Sequence, residues 1–176
     1  MRKLSAIELK RKTVDEYRSS EKNPLVIVLD NIRSLNNTGS VFRTADAFLV
    51  EAIYLCGITG KPPHREIQKT ALGATESVPW KYFASAMEAI EQLKASGYTI
   101  ISLEQVNDSI PLQEFSPERG KRYALVFGNE IHGVEQAVID QSDHCVEIPQ
   151  FGTKHSFNVA VSAGIVLWEF SRTFHP

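Results

Sequence analysis

The chain has 176 residues, of which 43% are apolar and 23% are charged. This composition is typical of one globular domain, and it excludes a disordered or fibrous protein because enough apolar side chains are present to form a core. The 19 basic and 21 acidic residues give a formal net charge of −2. That balance argues against a protein that coats nucleic acid by bulk electrostatic attraction, but it is compatible with a local basic site.

The sequence also lacks the patterns of secreted, membrane-spanning and zinc-binding proteins. Its N-terminus has no apolar segment of the kind found in a secretory signal, and no stretch of about 20 apolar residues is present. The two cysteines, Cys56 and Cys145, lie far apart in apolar runs, which favours buried thiols over a disulfide framework. The histidines form no HExxH or Cys/His set. We expect a cytoplasmic protein with no membrane partner and no bound metal.

The first 23 residues differ in charge from the remainder. They hold seven Lys or Arg and four Asp or Glu, a net charge of +3, whereas the other residues sum to −5. Apolar and basic residues interleave there, which predicts a short basic helical extension over 1–23, followed by one domain over 24–176. The pattern fits either an extension that packs on the domain edge or one that contacts nucleic acid.

Short apolar runs alternate with helical patterns from Pro24 onward. Because the runs show almost no polar alternation, they are typical of parallel strands buried on both faces. A capping box from Ser85 to Glu88 predicts a helix that ends at Gly97. This order predicts an α/β fold with a mainly parallel sheet flanked by helices. The predicted strands are 25–30, 52–57, 98–103, 123–128 and 144–149.

The first of three polar, glycine-bearing loops, Asn36 to Ser40, follows a predicted strand and opens a predicted helix. A helical wheel places Val41, Phe42, Ala45, Phe48 and Leu49 on one face of that helix and Arg43 opposite them. Taken alone, Arg43 is an exposed or ion-paired surface residue, and Asn37 and Gly39 are a helix cap and a tight turn.

The other two loops have a similar character. The second, 128–133, places Glu130 between two glycines, and the third, 148–158, carries Ser156 and Asn158 before a helix. Capping and turn formation explain each loop by itself. All three loops nevertheless lie at the carboxyl ends of strands, where open α/β sheets bind ligands, so we expect them to converge on one crevice. No GxGxxG, P-loop or GxSxG sequence is present.

The final predicted helix, 157–170, is apolar on nearly its whole circumference. Such a helix must be covered on most sides, either by the sheet alone or by the sheet and another subunit. In a domain of this size we favour a subunit interface.

Taken together, the three loops resemble the motifs of the SPOUT-class RNA methyltransferases, specifically the SpoU/TrmH branch, which methylates ribose 2′-hydroxyls. The stretch from Asn36 to Phe48 looks like the first motif, Val126 to Val134 resembles the second, and Ile148 to Val159 resembles the third. Each motif is short, but three in order at strand ends form a specific pattern. The third motif has Phe157 where leucine is usual, which alters packing more than chemistry.

The resemblance implies a C-terminal trefoil knot that binds S-adenosyl-L-methionine, a rare exception to unknotted topology. It also implies a homodimer with the last helix in the interface, in agreement with the apolar pattern of 157–170. The cofactor is expected against five positions in the loops and strand ends: Leu103, Gly128, Gly133, Ile148 and Phe157.

The reaction implied is transfer of the cofactor's methyl group to a ribose 2′-hydroxyl of RNA, which is a poor nucleophile at neutral pH. The family assigns its activation to the arginine matched by Arg43. Because an arginine is permanently protonated, we expect Arg43 to orient the ribose and phosphate and to stabilise the developing alkoxide. The other implied catalytic residues are Asn37 and Asn158 as hydrogen-bonding groups, Glu130 as a support for loops or for the arginine, and Ser156 near the target ribose.

The segment around His64, Arg65 and Lys69 forms a local positive cluster that we interpret either as a contact for RNA phosphates or as a solvated loop. The sequence departs from many ribosomal-RNA members of the family, since it shows neither their separate N-terminal RNA-binding domain nor a long C-terminal extension after Phe170, and we therefore expect tRNA rather than rRNA as the substrate. Two alternatives remain open: a non-catalytic RNA-binding or assembly protein on the same scaffold, and a knotted methyltransferase that acts on a base or on another substrate.

Overall fold

Seven strands and seven helices are present in the computed structural model, which describes residues 1–5 and 8–174. The strands are β1 (Asn23–Asp30), β2 (Val50–Cys56), β3 (Trp80–Phe83), β4 (Tyr98–Leu103), β5 (Ile110–Pro111), β6 (Arg122–Phe127) and β7 (His144–Glu147). The helices are α1 (Val14–Ser19), α2 (Leu35–Ala47), α3 (Arg65–Ala71), α4 (Ala74–Ser77), α5 (Ala86–Ala95), α6 (Gln136–Asp140) and α7 (Val159–Phe174). A short 3₁₀ helix covers Leu112–Glu114.

The strands form one sheet in the order β3-β2-β1-β6-β4-β7-β5, and each neighbouring pair is parallel. The predicted α/β class with a mainly parallel sheet is therefore confirmed, and each of the five predicted strands is found within two residues of its predicted ends. The two strands that the sequence did not reveal, β3 and β5, lie at the two edges of the sheet and are short. The C-terminal trefoil knot stays a prediction.

Strand β1 lies near the centre of the sheet and is buried on both faces. Leu25, Ile27 and Leu29 contact the core that the sheet forms with α2 and α7, whereas Val26 and Val28 contact the core formed with α5 and α6. Successive side chains of a strand point to opposite faces, so a strand between two helical layers needs apolar residues throughout. The result is a three-layer domain.

Helix α2 packs on the sheet as the wheel predicts. Val41, Phe42 and Ala45 are fully buried, and Arg43 is exposed. The cap of this helix is Ser34, whose hydroxyl accepts a hydrogen bond from the backbone N–H of Asn37. The interpretation of Asn37 as the helix cap is therefore wrong, and its side chain is free for other contacts.

Gly39 lies inside α2, so its interpretation as a tight turn is also wrong. A Cβ atom at this position would lie 2.1 Å from Thr70 Oγ1 and 2.3 Å from the carbonyl oxygen of Ile67. The absence of a side chain at Gly39 therefore allows α2 and α3 to approach closely.

Residues 1–23 contain one helix in the described part, and it is shorter than predicted. Thr13 and Glu16 form a capping box at the start of α1. Tyr17 is only 3% exposed, and its hydroxyl donates a hydrogen bond of 2.9 Å to the carbonyl oxygen of Val50. The segment therefore packs against the edge of the domain. Ile7, which belongs to the predicted basic helix, lies outside the described residues.

None of the helices in the described ranges combines the length and apolar character that crossing a bilayer requires.

We predict that Gly39→Ala lowers the free energy of unfolding by about 1–3 kcal/mol, because the Ile67 carbonyl is backbone and yields only if α3 moves. Chemical denaturation followed by circular dichroism measures the change. Gly152→Ala, outside α2 and α7, is the matched control: its Cβ would meet nothing within 4 Å and its φ is not positive, so stability should be unchanged or rise by up to about 1 kcal/mol. Equal stability of Gly39→Ala and the wild type would contradict the close-approach role.

Candidate active site

The carboxyl ends of β4, β6 and β7 open into a cavity of about 330 Å³. This is the edge at which open α/β sheets bind ligands, and the volume lies in the range of small-molecule sites. All five positions implied for the cofactor line it: Leu103, Gly128, Gly133, Ile148 and Phe157. The second and third loops therefore converge on one crevice, as expected from their positions after strands.

The second loop depends on its two glycines. A Cβ on Gly128 would lie 2.1 Å from both the carbonyl carbon of Gly133 and the backbone nitrogen of Val134, and Gly133 has a φ of +69°. Asn129 and Gly133 exchange two backbone hydrogen bonds of 2.9 Å. The loop thus folds back on itself, and larger residues would open it.

Glu130, carried by this loop, binds the start of α2. Its carboxylate accepts hydrogen bonds from the backbone N–H groups of Arg33 (2.9 Å) and Ser34 (3.0 Å), and from the side-chain amide of Asn37 (3.1 Å). Partial burial opposes ionisation of this carboxylate, but the hydrogen bonds outweigh it and hold the pKa of Glu130 below its ordinary value. Glu130 is therefore ionised at neutral pH and holds the first two motifs together.

The third motif joins the same network through Asn158. Its side-chain amide donates a 3.0 Å hydrogen bond to Oδ1 of Asn37, and its own Oδ1 accepts from the backbone N–H of Ala160 in the first turn of α7. The side chains of Glu130, Asn37 and Asn158 consequently form one hydrogen-bonded relay. This relay connects all three motifs beside the cavity.

Ser156 also lines the cavity, within the irregular third loop. In that loop, the side-chain amide of Gln150 donates to the carbonyl oxygen of His155 at 3.4 Å. The wall therefore contains three of the implied catalytic residues, namely Glu130, Ser156 and Asn158. Asn37 is attached to two of them by hydrogen bonds.

Arg43 is not among the described residues that line this cavity. It lies six residues after Asn37 on α2, and at about 100° per residue its side chain points about 120° away from that of Asn37. It lines instead a second cleft, between α2 and the segment that precedes α1. Within one chain, the structure does not bring Arg43 to the other implied catalytic residues.

The positive cluster also lies apart from the cavity. His64 is the N-cap of α3, and its Nδ1 accepts a hydrogen bond of 3.2 Å from the backbone N–H of Glu66. Arg65 and Lys69 are exposed on the same short helix. None of the three is among the described residues of the cavity wall.

Sequence reasoning missed several polar residues of the cavity wall. Glu104 follows Leu103 directly, and its carboxylate accepts a 3.0 Å hydrogen bond from the backbone N–H of Val134, so it supports the second loop. The sequence does indicate Glu104, because it follows the carboxyl end of a predicted strand, as the residues of the three loops do. The remaining missed polar residues of the wall are Gln105, Asn129, Glu147, Gln150, His155 and Ser162.

A buried carboxyl group lies next to the second loop. Burial, together with the nearby Glu135 carboxylate, raises the pKa of Asp30 to about 6. The side-chain amide of Asn31 bridges the two acids, at 2.9 Å from Asp30 Oδ1 and 3.0 Å from Glu135 Oε1. This bridge attaches the end of β1 to the residues that follow the second loop.

In the described ranges, no group of three or more His, Cys, Asp or Glu side chains is placed to hold a metal ion.

A parallel α/β domain in which three loops are hydrogen-bonded around a cavity at the carboxyl edge of the sheet belongs to the class of small-ligand-binding α/β domains. Comparison with known families narrows this class. The profile of the SpoU rRNA Methylase family matches residues 24–168, and the chain belongs to this family.

The relatives and solved structures agree with this assignment. The chain is 34% identical over 158 residues to the 23S rRNA (guanosine-2′-O-)-methyltransferase RlmB of Neisseria meningitidis serogroup B; the match covers 90% of this chain and 62% of that protein. The crystal structure of the A. aeolicus TrmH/SpoU tRNA modifying enzyme superposes with a TM-score of 0.82 at 25% identity, covering 92% of this chain and 81% of that one. An AdoMet-bound rRNA methyltransferase from Sinorhizobium meliloti gives 0.79 at 26% identity, covering 89% and 59%.

We predict that Glu130→Gln lowers the free energy of unfolding at pH 7 by about 1 kcal/mol, because a neutral amide replaces the ionised acceptor of three hydrogen bonds. The folded-state pKa of Glu130 lies below its ordinary value, so its stabilisation is present above pH ~4.3 and is lost as the pH falls through the folded pKa. The difference between variant and wild type should therefore shrink in acid. Urea unfolding between pH 3 and 7 measures it, with Glu91→Gln on the exposed face of α5 as the control; a pH-independent difference would contradict the assignment.

Proposed function

We propose that this chain is an S-adenosyl-L-methionine-dependent RNA ribose 2′-O-methyltransferase. The observation that carries the proposal is the relay of Glu130, Asn37 and Asn158, which joins three motifs beside a cavity lined by all five positions implied for the cofactor. The names of the Neisseria and Sinorhizobium relatives, a 2′-O-methyltransferase and an AdoMet-bound methyltransferase, support it. The chain spans 62% of the length of the Neisseria relative.

The walls of the cavity fit this cofactor. Phe127, Val146 and Ile148 supply apolar surface suited to an adenine ring, and loop backbone supplies hydrogen-bonding groups. Glu104 and Glu147 add carboxylates, which favour a ligand that carries positive charge. When bound, S-adenosyl-L-methionine supplies an electrophilic methyl group on a cationic sulfur.

The remaining residues take roles that follow from their contacts. Glu130 is a positioning residue, since it is ionised and its oxygens already accept three hydrogen bonds. Asn37 and Asn158 hold the first and third motifs in register, and Ser156 presents its hydroxyl to the cavity, where the target ribose is to lie. Arg43 binds the phosphate next to that ribose and stabilises the alkoxide that forms as the 2′-hydroxyl gives its proton to water.

The exposed face of α7 supports a homodimer. Val161, Ile165 and Trp168 lie on one face at helical spacing, and Trp168 is 60% exposed. A second copy on this face removes three large apolar side chains from water. Helix α2 packs against α7 and so lies beside this face, and in the proposed dimer Arg43 of one subunit acts at the cavity of the other.

The substrate is an RNA, and we favour tRNA over ribosomal RNA. The A. aeolicus tRNA modifying enzyme is matched over 81% of its chain, whereas the Neisseria 23S rRNA enzyme is matched over 62%. Arg65 and Lys69 on α3 are exposed and able to contact phosphates, and His64 is able to do so with the ring nitrogen that does not cap α3. With such a substrate, we propose that the protein acts in the cytoplasm.

The proposed activity is tested with purified protein, labelled S-adenosyl-L-methionine, and tRNA or rRNA from a strain that lacks the protein. We predict methyl transfer to ribose in tRNA, identified by nuclease digestion and nucleoside analysis. Arg43→Ala should lower kcat/KM by about 100-fold or more while cofactor affinity, measured by calorimetry, stays the same. Arg119→Ala, which changes an exposed arginine far along the chain, is the matched control.

Each other outcome of this experiment assigns the chain differently. A methylated base in place of a methylated ribose overturns the 2′-O-specificity. RNA binding without any affinity for S-adenosyl-L-methionine identifies a non-catalytic RNA-binding protein on the same scaffold. Full activity of Arg43→Ala removes Arg43 from the reaction.

A separate measurement tests the dimer. We predict that Trp168→Glu converts a dimer to a monomer in sedimentation velocity, because it places a charge in an apolar contact. Ile58→Glu, at a residue that is 66% exposed and lies outside α7, should leave the sedimentation coefficient unchanged. A monomeric wild type, or a dimeric Trp168→Glu, would rule out this interface.

A further inference from the structure

A cleft of about 680 Å³ separates α2 from the chain segment that precedes α1. Four cationic side chains line it: Lys10, Arg11 and Lys12 from the segment, and Arg43 from α2. The proposed function uses Arg43 but assigns nothing to the other three. The fold brings these three residues close to Arg43, although more than 30 residues separate them from it in the sequence.

The four cations form no ion pairs in the described part of the chain, although, together with hydrogen bonds from Thr13, the charge of Lys12 helps to lower the pKa of Glu16. All four are exposed. Two carboxylates also line the cleft, but Asp46 accepts a hydrogen bond from the Ser77 hydroxyl and Glu76 is exposed to water. The charged side chains of the cleft therefore sum to +2, in a chain whose net charge is −2.

The basic segment is held against the domain at its C-terminal end. Tyr17 is buried and bonded to Val50, and the guanidinium of Arg18 donates to the carbonyl oxygen of Glu76 at 2.6 Å. The capping box of Thr13 and Glu16 fixes the start of α1, two residues after Lys12. The cations are thus positioned by buried and hydrogen-bonded contacts that do not involve their own side chains.

We propose that this cleft binds the sugar-phosphate backbone of the substrate RNA, with Lys10, Arg11 and Lys12 contacting phosphates on the strand that presents its ribose to Arg43. The inference rests on the proposed function, because it is that function which places the target nucleotide at Arg43. Flexible lysines and an arginine that form no ion pairs in the described ranges suit sequence-independent contact with phosphates. Lys10, Arg11 and Lys12 supply affinity and orientation, whereas Arg43 alone among the four cations takes part in the chemical step.

The test uses the full chain and a tRNA transcript, and RNA binding is measured in the absence of cofactor. RNA affinity is measured by fluorescence anisotropy between 50 and 200 mM KCl for wild type and for the triple variant Lys10→Ala, Arg11→Ala, Lys12→Ala. Each phosphate contact contributes about 0.7–0.9 to the slope of log K against log salt, so the variant should lose about 2–3 from the slope and bind at least about tenfold more weakly at low salt. Cofactor affinity and kcat at saturating RNA should be unchanged, while KM for RNA rises.

The matched control removes the same charge elsewhere, with Lys81→Ala, Lys94→Ala and Lys121→Ala, all exposed and outside the cleft. An unchanged affinity and slope in the cleft variant overturns the inference, and so does an equal loss in both triple variants. The proposed function fails separately: a wild type that binds RNA through the cleft but transfers no methyl group refutes the enzyme assignment and keeps the binding surface. Methyl transfer by a protein whose RNA affinity is the same in wild type and cleft variant supports the enzyme assignment and refutes the binding surface.

Discussion

The arrangement of the candidate site depends on one carboxylate. Glu130 lies in the loop after β6, yet its three hydrogen bonds all go to the start of α2, which follows β1. Because β1 and β6 are neighbours in the sheet, the interaction closes the gap between two adjacent strand ends. Through Asn37 it extends to Asn158, where α7 begins, so two helices and three loops share one charged anchor. Partial burial makes such an anchor effective, because the hydrogen bonds to it compete less with water.

Helix α2 serves two surfaces, and its geometry explains how. The first turn carries Asn37 at the cavity, whereas Arg43 lies about 9 Å further along the axis and about 120° around it, at the basic cleft. Gly39 lies between them and allows α3 to pack closely on the helix, so α2 is fixed against a neighbour. Helix α2 is thus a rigid element that connects the cavity of the proposed cofactor to the proposed RNA surface.

Much of the fold was predictable because it follows from hydrophobic patterning. The unbroken apolar runs of β1, β4 and β6 identified a sheet with two covered faces, and the wheel of α2 identified Val41, Phe42 and Ala45 as core. Edge strands β3 and β5 were missed because they are short and have one neighbour each. The capping box of Thr13 and Glu16 was readable in the sequence and marks the true start of α1, but the interleaved basic and apolar residues before it suggested a longer helix.

The candidate site was predictable only where sequence position determines spatial position. Residues that follow parallel strands share one edge of the sheet, so Gly128, Gly133, Ile148 and their neighbours met at the cavity as expected. Arg43 did not, because its spacing of six residues from Asn37 turns its side chain about 120° around the helix and away from the cavity. Its basic neighbours in the cleft come from the N-terminal segment, and the docking of Tyr17 and Arg18 against the domain places them there.

The modest net charge of the chain conceals two surfaces of opposite sign. The cavity wall carries the carboxylates of Glu104, Glu130 and Glu147, whereas the cleft carries four cations that form no ion pairs in the described ranges. In the proposed function, the carboxylates of the cavity attract the cationic sulfonium cofactor and the cations of the cleft attract the RNA backbone, so the two ligands approach the domain on different surfaces before they meet at the reacting ribose.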